Sequence, residues 1–512
     1  MELKAEIRID ARDAISVIDE RLYGSFIEHM GRAIYTGIYE PEHPAANQNG
    51  FRQDVADLIH PLHIPVVRYP GGNFVSGYRW EDGVGPRSAR PVRSELAWSA
   101  LEPNRVGTNE FMDFLKLVDA QPMLAVNLGT RGAQDAANLV EYCNFPGGTH
   151  YSDLRITHGY REPHAVKLWC LGNEMDGPWQ ICAKTATEYG RLAAETAKMM
   201  KWLDPEIELV VCGSSFREMP TFGEWERTVL RHTYEHVDYL SLHTYYTNTE
   251  NDIPSFLANN LRMDGFIREV AAICAEIKAE KGAKKDIRLS FDEWNVWYHF
   301  KKDCPEPKKW IVARPIEEER YDFTDALLVG SMLTTLINNA DVVKIACLAQ
   351  LVNTIAPIMT EPEGRAWKQT TYYPFLYTSK YGRGTALKVG VDVPGYRCSV
   401  GEAPYIDCAA VLCEQGDEIV LFMVNKNLEQ DIPCKVLLPE CCASVIEWVS
   451  LSGALEAVNT ADHAPVQPTR RQDAVAAEGK VSFALFKASW NMIRLRIGQP
   501  APFALSATCQ FE

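Results

Sequence analysis

The chain has 512 residues, of which 46% are hydrophobic, and a formal net charge of -16. That length exceeds one ordinary domain but suits an α/β barrel carrying a second unit. The acidic balance argues against nucleic acid as the main partner and against docking on an acidic membrane.

The opening residues, "MELKAEIRID", lack the apolar core of a secretion signal, and no stretch approaches the roughly 18 apolar residues of a membrane span. A cytoplasmic protein is expected. "ELKAEIRID" alternates apolar and charged residues, which predicts a half-buried strand. That strand is expected to pair with the C-terminal part of the chain.

Eight apolar runs follow. They are "LYGSFIEH" (Leu22 to His29), "IPVVRYPGG" (Ile64 to Gly72), "QPMLAVNLG" (Gln121 to Gly129) and "VKLWCLGNE" (Val166 to Glu174). Then come "IELVVCGSS" (Ile207 to Ser215), "VDYLSLHTY" (Val237 to Tyr245), "IRLSFDEW" (Ile287 to Trp294) and "VVKIACLAQ" (Val342 to Gln350). Each begins apolar and ends polar or glycine-rich, as parallel strands covered on both faces do. Helical patterns separate them. Thr185-x-x-Glu188 reads as a capping box, and Leu192, Ala193, Thr196, Met199, Met200 and Leu203 form one face before Asp204-Pro205. A second stripe, Phe266, Ile267, Val270, Ile273, Cys274 and Ile277, ends near Gly282. Strand then helix, eight times, is the pattern of a (β/α)8 TIM barrel, an α/β fold. An open doubly wound sheet would show a glycine fingerprint after its first strand, and "LYGSFIEHMG" is not one.

Beyond "YTSKYGRG" (Tyr377 to Gly384) the helical pattern stops. "VLCEQGDEIVLFMVNKN" predicts a hairpin around Gly416, and the later apolar runs predict an antiparallel β-sandwich. Residues 457–479 are polar and small, and are expected to be a loop. The expected division is 1–20 for the N-terminal strand, 21–382 for the barrel and 383–512 for the sandwich. Several of the fourteen Cys sit inside apolar runs (Cys170, Cys212, Cys274, Cys347), so reduced buried thiols are expected. The adjacent Cys441 and Cys442 are not expected to bond to each other.

In a barrel, chemistry sits at the C-terminal strand ends. Those ends supply Glu28, Asn73, Asn127, Asn173, Glu174, His243, Tyr245, Glu293 and Gln350. There is no basic cluster for phosphate, no HExxH and no CxxC, so neither a metal nor a cofactor is expected. Acids, amides and aromatics suit an uncharged, polyhydroxylated ligand. Glu174 ends the fourth run and Glu293 the seventh, placing them across the barrel mouth from each other. A glycosidic bond needs such a pair, one protonated to help the leaving oxygen depart and one ionised to attack or to activate water. Retention requires the two about 5–5.5 Å apart.

Strand alternation would point Asn173 and Glu174 to opposite faces, so the strand must twist or bulge at Gly172 for both to serve one site. The same alternation, with Glu293 inward, points Asp292 toward the helices. His243 and Tyr245 are two apart and can both face inward, the tyrosine orienting one acid and the imidazole tuning the other. Trp98, Trp179 and Trp297 are candidates to stack on sugar rings. Each feature has a plainer reading. Asn-Glu at a strand end is a turn or cap signal, Glu28 can be a structural acid paired with Arg32 or Arg68, His243 a core histidine, and Asn73 and Gln350 turn-makers.

At "YGSFIEHMGRAIYTGIYEP", "VRYPGGNFVSGYRWEDGVGP", "CLGNEMDGPWQ", "SLHTYY" and "FDEWNVWY" the sequence resembles the α-L-arabinofuranosidases of glycoside hydrolase family 51. The likeness spans essentially the whole chain. It implies a barrel with a jelly-roll-like sandwich, a retaining double displacement without a metal, and an intracellular hexamer. It implies Glu174 as acid/base and Glu293 as nucleophile. It also implies Glu28, Asn73, Asn173 and Gln350 as binders of the furanose hydroxyls, Tyr245 beside the nucleophile and His243 beside the acid/base. The substrate class it implies is arabinose-containing oligosaccharides of arabinan or arabinoxylan, and the lack of a secretion signal suggests short imported fragments. Two other readings compete: a different retaining barrel hydrolase, endo-glucanase or xylosidase-like, and a non-catalytic carbohydrate-binding protein that kept the fold.

Overall fold

The computed structural model describes residues 3–298, 306–438, 443–477 and 479–498. All eight apolar runs form strands: β1 (Gly24–Phe26), β2 (Val66–Tyr69), β3 (Gln121–Val126), β4 (Leu168–Leu171), β5 (Glu208–Val211), β6 (Tyr239–Tyr246), β7 (Arg288–Val296) and β8 (Val343–Ala349). They pair in parallel with their sequence neighbours and close, β8 against β1, into a barrel. Side chains alternate as the pleat requires. On β4, Leu168 and Cys170 fill the barrel interior, whereas Trp169 and Leu171 pack under the helices. The capping box at Thr185 is present, opening the helix Ala186–Leu203. The stripe from Phe266 to Ile277 is the buried face of the helix Asn259–Lys281, which stops at Gly282 with φ +59°.

The N-terminal strand, Ala5–Val17, belongs to the other sheet. It lies antiparallel to Thr385–Asp392 and parallel to Ile432–Leu437. Ala5, Ile7, Ile9 and Ala11 alternate into a buried core, each fully buried Ile being worth roughly 1.5–3 kcal/mol. The ten-stranded sheet curls until its far strands face each other, bringing the Trp448 and Phe483 rings to 5.3 Å. The hairpin around Gly416 joins Ile406–Leu412 to Glu418–Asn425. Residues 457–479 are not wholly loop: Thr469–Arg470 and Val475–Ala477 pair with sheet strands, a difference that such short segments do not betray by periodicity.

The helix Phe323–Asn338 locks the sheet to the barrel. All its residues from Phe323 to Ile337 are buried, an all-round burial that marks a helix held between two layers. At Gly330 a Cβ would lie 2.3 Å from a Trp490 ring carbon, so only glycine lets the indole pack on the helix backbone. Among the described residues ten cysteines are free, seven of them buried inside the fold at Cys143, Cys170, Cys212, Cys274, Cys347, Cys408 and Cys434. Cys441 and Cys442 lie outside the described residues.

Candidate active site

The chain leaves β4 at Gly172, with φ +88°, and Glu174 follows with φ +43°. A glycine takes the first of these conformations freely; the second costs a glutamate about 1–3 kcal/mol. The turn, closed by Gly177 N–H donating to Glu174 C=O at 2.8 Å, sends both Asn173 and Glu174 into the mouth. The expected break at Gly172 is therefore present.

On β7 the backbone does something the alternation did not anticipate. Ser290 pairs with Ser241 and Glu293 with His243, so three steps on β7 oppose two on β6. This bulge turns Asp292 and Glu293 to the same side. Asp292 does not face the helices. It is 1% exposed inside the barrel, accepts a hydrogen bond from Ser241, and lies 3.4 Å from both Arg68 Nε and His243 Nε2.

Arg68, from β2, is the hub. Its Nη1 donates to Glu293 Oε1 at 2.7 Å and its Nη2 to Asn173 Oδ1 at 2.7 Å. Tyr245 donates its hydroxyl proton to Glu293 Oε2 at 2.7 Å. His243 Nδ1 lies 3.0 Å from Glu174 Oε1 and 3.7 Å from Glu293 Oε2, while Trp179 Nε1 donates to Glu174 Oε2 at 2.7 Å. Burial pulls the His243 imidazole down, but the Glu293 charge, the Asp292 carboxylate and the Glu174 hydrogen bond outweigh it and raise it to about 10. His243 is thus an imidazolium near neutral pH. Burial raises the Asp292 carboxyl, yet the Arg68 guanidinium and His243 hold it below the ordinary carboxylate range.

Glu28 stands behind this pair, 2% exposed. Its carboxylate accepts Phe74 N–H at 2.7 Å and Trp98 Nε1–H at 3.0 Å. Burial pushes it up to about 8, against the Phe74 hydrogen bond and with help from the Glu293 charge. Neither expected arginine partner reaches it: Arg32 bonds Glu318, and Arg68 is spent on Glu293 and Asn173. Asn73 Oδ1 accepts from Asn173 Nδ2 at 3.4 Å. Trp297 packs edge-on against Tyr245, centroids 5.0 Å apart, and donates its indole N–H to Glu317. Gln350 accepts Glu28 N–H at 2.9 Å, which ties the ends of β8 and β1 together. Asn127 stays out of this group. Its amide bonds Tyr78 C=O and Thr130 and caps Gly129, a turn role.

Exposure is graded across the mouth. Glu28, Gln350 and Glu293 are nearly sealed, whereas Trp179 is 45% exposed. Burial is deepest at Glu28 and Gln350, and exposure grows toward Glu174 and Trp179. One oxygen or nitrogen of each of Glu174, His243 and Glu293 lies within 4.8 Å of the others, a spacing that could hold a cation. The Arg68 guanidinium already on Glu293, and the proton on His243, oppose a metal there by charge.

Over residues 58–260 the sequence matches the α-L-arabinofuranosidase 1 domain, and over residues 292–489 the α-L-arabinofuranosidase C-terminal domain. It is 53% identical to an intracellular exo-alpha-(1->5)-L-arabinofuranosidase of Bacillus subtilis, covering 96% of this chain and 99% of that one. The chain belongs to the family 51 α-L-arabinofuranosidases. An exo-alpha-(1->6)-L-arabinofuranosidase of Bifidobacterium longum is 45% identical over 96% of this chain and 97% of its own length. A solved family 51 arabinofuranosidase structure from Bifidobacterium longum superposes with a TM-score of 0.93 at 39% identity, covering 97% of this chain and 100% of that one.

Within this arabinofuranosidase site, sequence reasoning missed Arg68 as the hub, Asp292 as an inward group and Ser241 as its partner. Arg68 did carry a signal. An arginine in the middle of the buried run "VVRY" needs a buried counter-charge, and "FDEW" supplies two.

Proposed function

We propose that this arabinofuranosidase is a retaining exo-hydrolase that removes terminal non-reducing α-L-arabinofuranosyl residues from short arabino-oligosaccharides. The observation that carries the reading is the approach of Glu174 and Glu293, whose nearest oxygens are within 4.8 Å. That is the spacing of direct attack, with no room for a water between acid and base.

In the first step a Glu293 oxygen bonds to the anomeric carbon, the bond to the leaving oxygen breaks, and that oxygen takes the Glu174 proton. In the second, water gives a proton to Glu174 and its oxygen replaces Glu293 on the anomeric carbon. Charge bookkeeping supports these roles. Arg68 and His243 carry two positive charges; Asp292 and Glu293 carry two negative ones. A neutral Glu174 leaves the buried group balanced, and when it gives up its proton the imidazolium 3.0 Å away stabilises the new carboxylate. Glu28, held largely neutral near pH 7, can donate to a furanose hydroxyl, with Asn73, Asn173 and Gln350 completing the polar wall and Trp297 an apolar one.

The burial of Glu28 at one end of the acid pair supports exo action over an endo-glucanase, whose chain must pass through. An intact acid pair supports hydrolysis over simple carbohydrate binding. Relatives named intracellular support a cytoplasmic enzyme acting on short fragments, and an assembly of several copies, the expected hexamer, is measurable by light scattering. The test is the release of arabinose from an aryl α-L-arabinofuranoside, followed by NMR. The first-formed product should carry the α configuration; initial β product sinks the retaining mechanism.

A further inference from the structure

Two buried N–H groups in the mouth, Arg68 Nε and His243 Nε2, have no hydrogen-bond partner. They sit on different strands and point at the same carboxylate, each 3.4 Å from an oxygen of Asp292. Neither approach has hydrogen-bond geometry, so what Asp292 offers them is charge. Arg68 in turn holds Glu293, and His243 holds Glu174. One carboxylate therefore stands behind both catalytic acids, through a cation apiece.

We propose that Asp292 is a positioning residue that, as the shared counter-ion of Arg68 and His243, sets the pH range over which Glu174 keeps its proton. The groups facing Asp292 are few. β2 supplies Arg68, whose guanidinium also lies 4.8 Å from the Phe26 ring of β1. β4 supplies Cys170, at 3.7 Å, and β5 and β8 supply Cys212 and Cys347. Burial pushes all three thiols up, so they stay neutral. β6 supplies Ser241 and His243, and β7 supplies Glu293. Among the described residues the nearby charges beyond these are Glu174, Asp176 close to it, and Glu28 where it ionises. Without the Asp292 charge, the same protonation states leave one unbalanced positive charge among largely buried groups. A proton must then leave at lower pH, from Glu174 or from His243 beside it.

The proposal rests on Glu174 being the acid. Its test is the pH profile of kcat/KM on an arabino-oligosaccharide with a poor leaving group, for wild type, Asp292→Asn and Ser241→Ala. The isosteric amide removes the charge and keeps the volume. Its alkaline limb is expected to move toward acid by about one pH unit or more, whereas Ser241→Ala, which keeps the charge, leaves the limb in place. A loss of rate equal at every pH, with the limb unmoved, or the same shift in Ser241→Ala, overturns the proposal. Nitrogen NMR of His243 in the wild-type protein decides independently of how the variants fold. Both ring nitrogens should stay protonated from about pH 6 to about 9, and a neutral imidazole at pH 7 overturns it. Failure of the acid assignment itself shows elsewhere, as an equal loss on good and poor leaving groups when Glu174 is removed.

Discussion

Arg68 bonds the Glu293 carboxylate with one guanidinium nitrogen and the Asn173 amide oxygen with the other, so a single side chain from β2 spans the ends of β7 and β4. It is 1% exposed. Arg68→Ala would leave two buried carboxylates, Glu293 and Asp292, sharing the single remaining cation, His243. Breaking a buried pair this way costs about 3–5 kcal/mol. The expected result is a large drop in the thermal midpoint together with a fall in kcat of at least about 100-fold. Arg68→Lys keeps the charge but not the fork, and is expected to recover stability more than rate. Equal recovery of both would mean that Asn173 and Glu293 need no joint alignment.

Glu174 and Glu293 should separate by substrate. Under the proposed mechanism Glu174→Ala removes the proton for the leaving oxygen, which an oligosaccharide needs and an activated aryl arabinofuranoside does not. A loss of about 100-fold or more is expected for the first, and a much smaller one for attack on the second. Glu293→Ala should abolish both, along with covalent labelling by a mechanism-based inhibitor. Mass spectrometry of the trapped enzyme checks the second point directly.

Much of this site is legible in the chain before any coordinates. Apolar runs that end in Asn, Glu, His or Gln place the barrel strands and their polar tips, because a near-continuous apolar run such as "VKLWCLGNE" fits a parallel strand covered on both faces. Gly172 announces its own break, since two adjacent polar residues cannot both face the mouth from a regular strand. The Asp292 orientation is not legible in the same way. A bulge is set by pairing between β6 and β7, and no periodicity within "FDEW" encodes its partner's register. Arg68 fails for a related reason: its partners are far away in the chain, so only the closed barrel shows which carboxylates it serves. Glu28 reads as an acid with an arginine partner until the fold shows both arginines occupied elsewhere.

Stability should depend on pH through Glu28 and His243. Folded Glu28 keeps its proton to about pH 8, whereas its ordinary value is 4.5. The folded state therefore binds more protons across that window, and the contribution, full below 4.5, is lost as pH rises through about 8. His243 adds a second decline, full below 6.5 and lost through about 10. Thermal midpoints measured against pH should fall through both windows. In Glu28→Gln the lower decline should flatten while the upper one persists. A wild-type midpoint that rises between pH 5 and 8 would contradict the burial argument for Glu28.

Gly72 gives the sharpest steric test. A Cβ there would lie 2.3 Å from Glu28 Oε2 and 2.6 Å from its carboxyl carbon, far inside contact distance. The Glu28 tail cannot simply swing aside, because Phe74 N–H and Trp98 Nε1–H hold its other oxygen. Gly72→Ala must therefore move the carboxyl, break one of those hydrogen bonds, or displace the backbone before Asn73. Any of these disturbs the buried Glu28 end of the site without touching Glu174 or Glu293. The expected signature is a rise in KM of about tenfold, with the loss in kcat smaller, since an interaction made in ground and transition states alike is what has been removed. If kcat falls while KM holds, Glu28 acts on the reacting centre and not on the distal hydroxyls of the sugar.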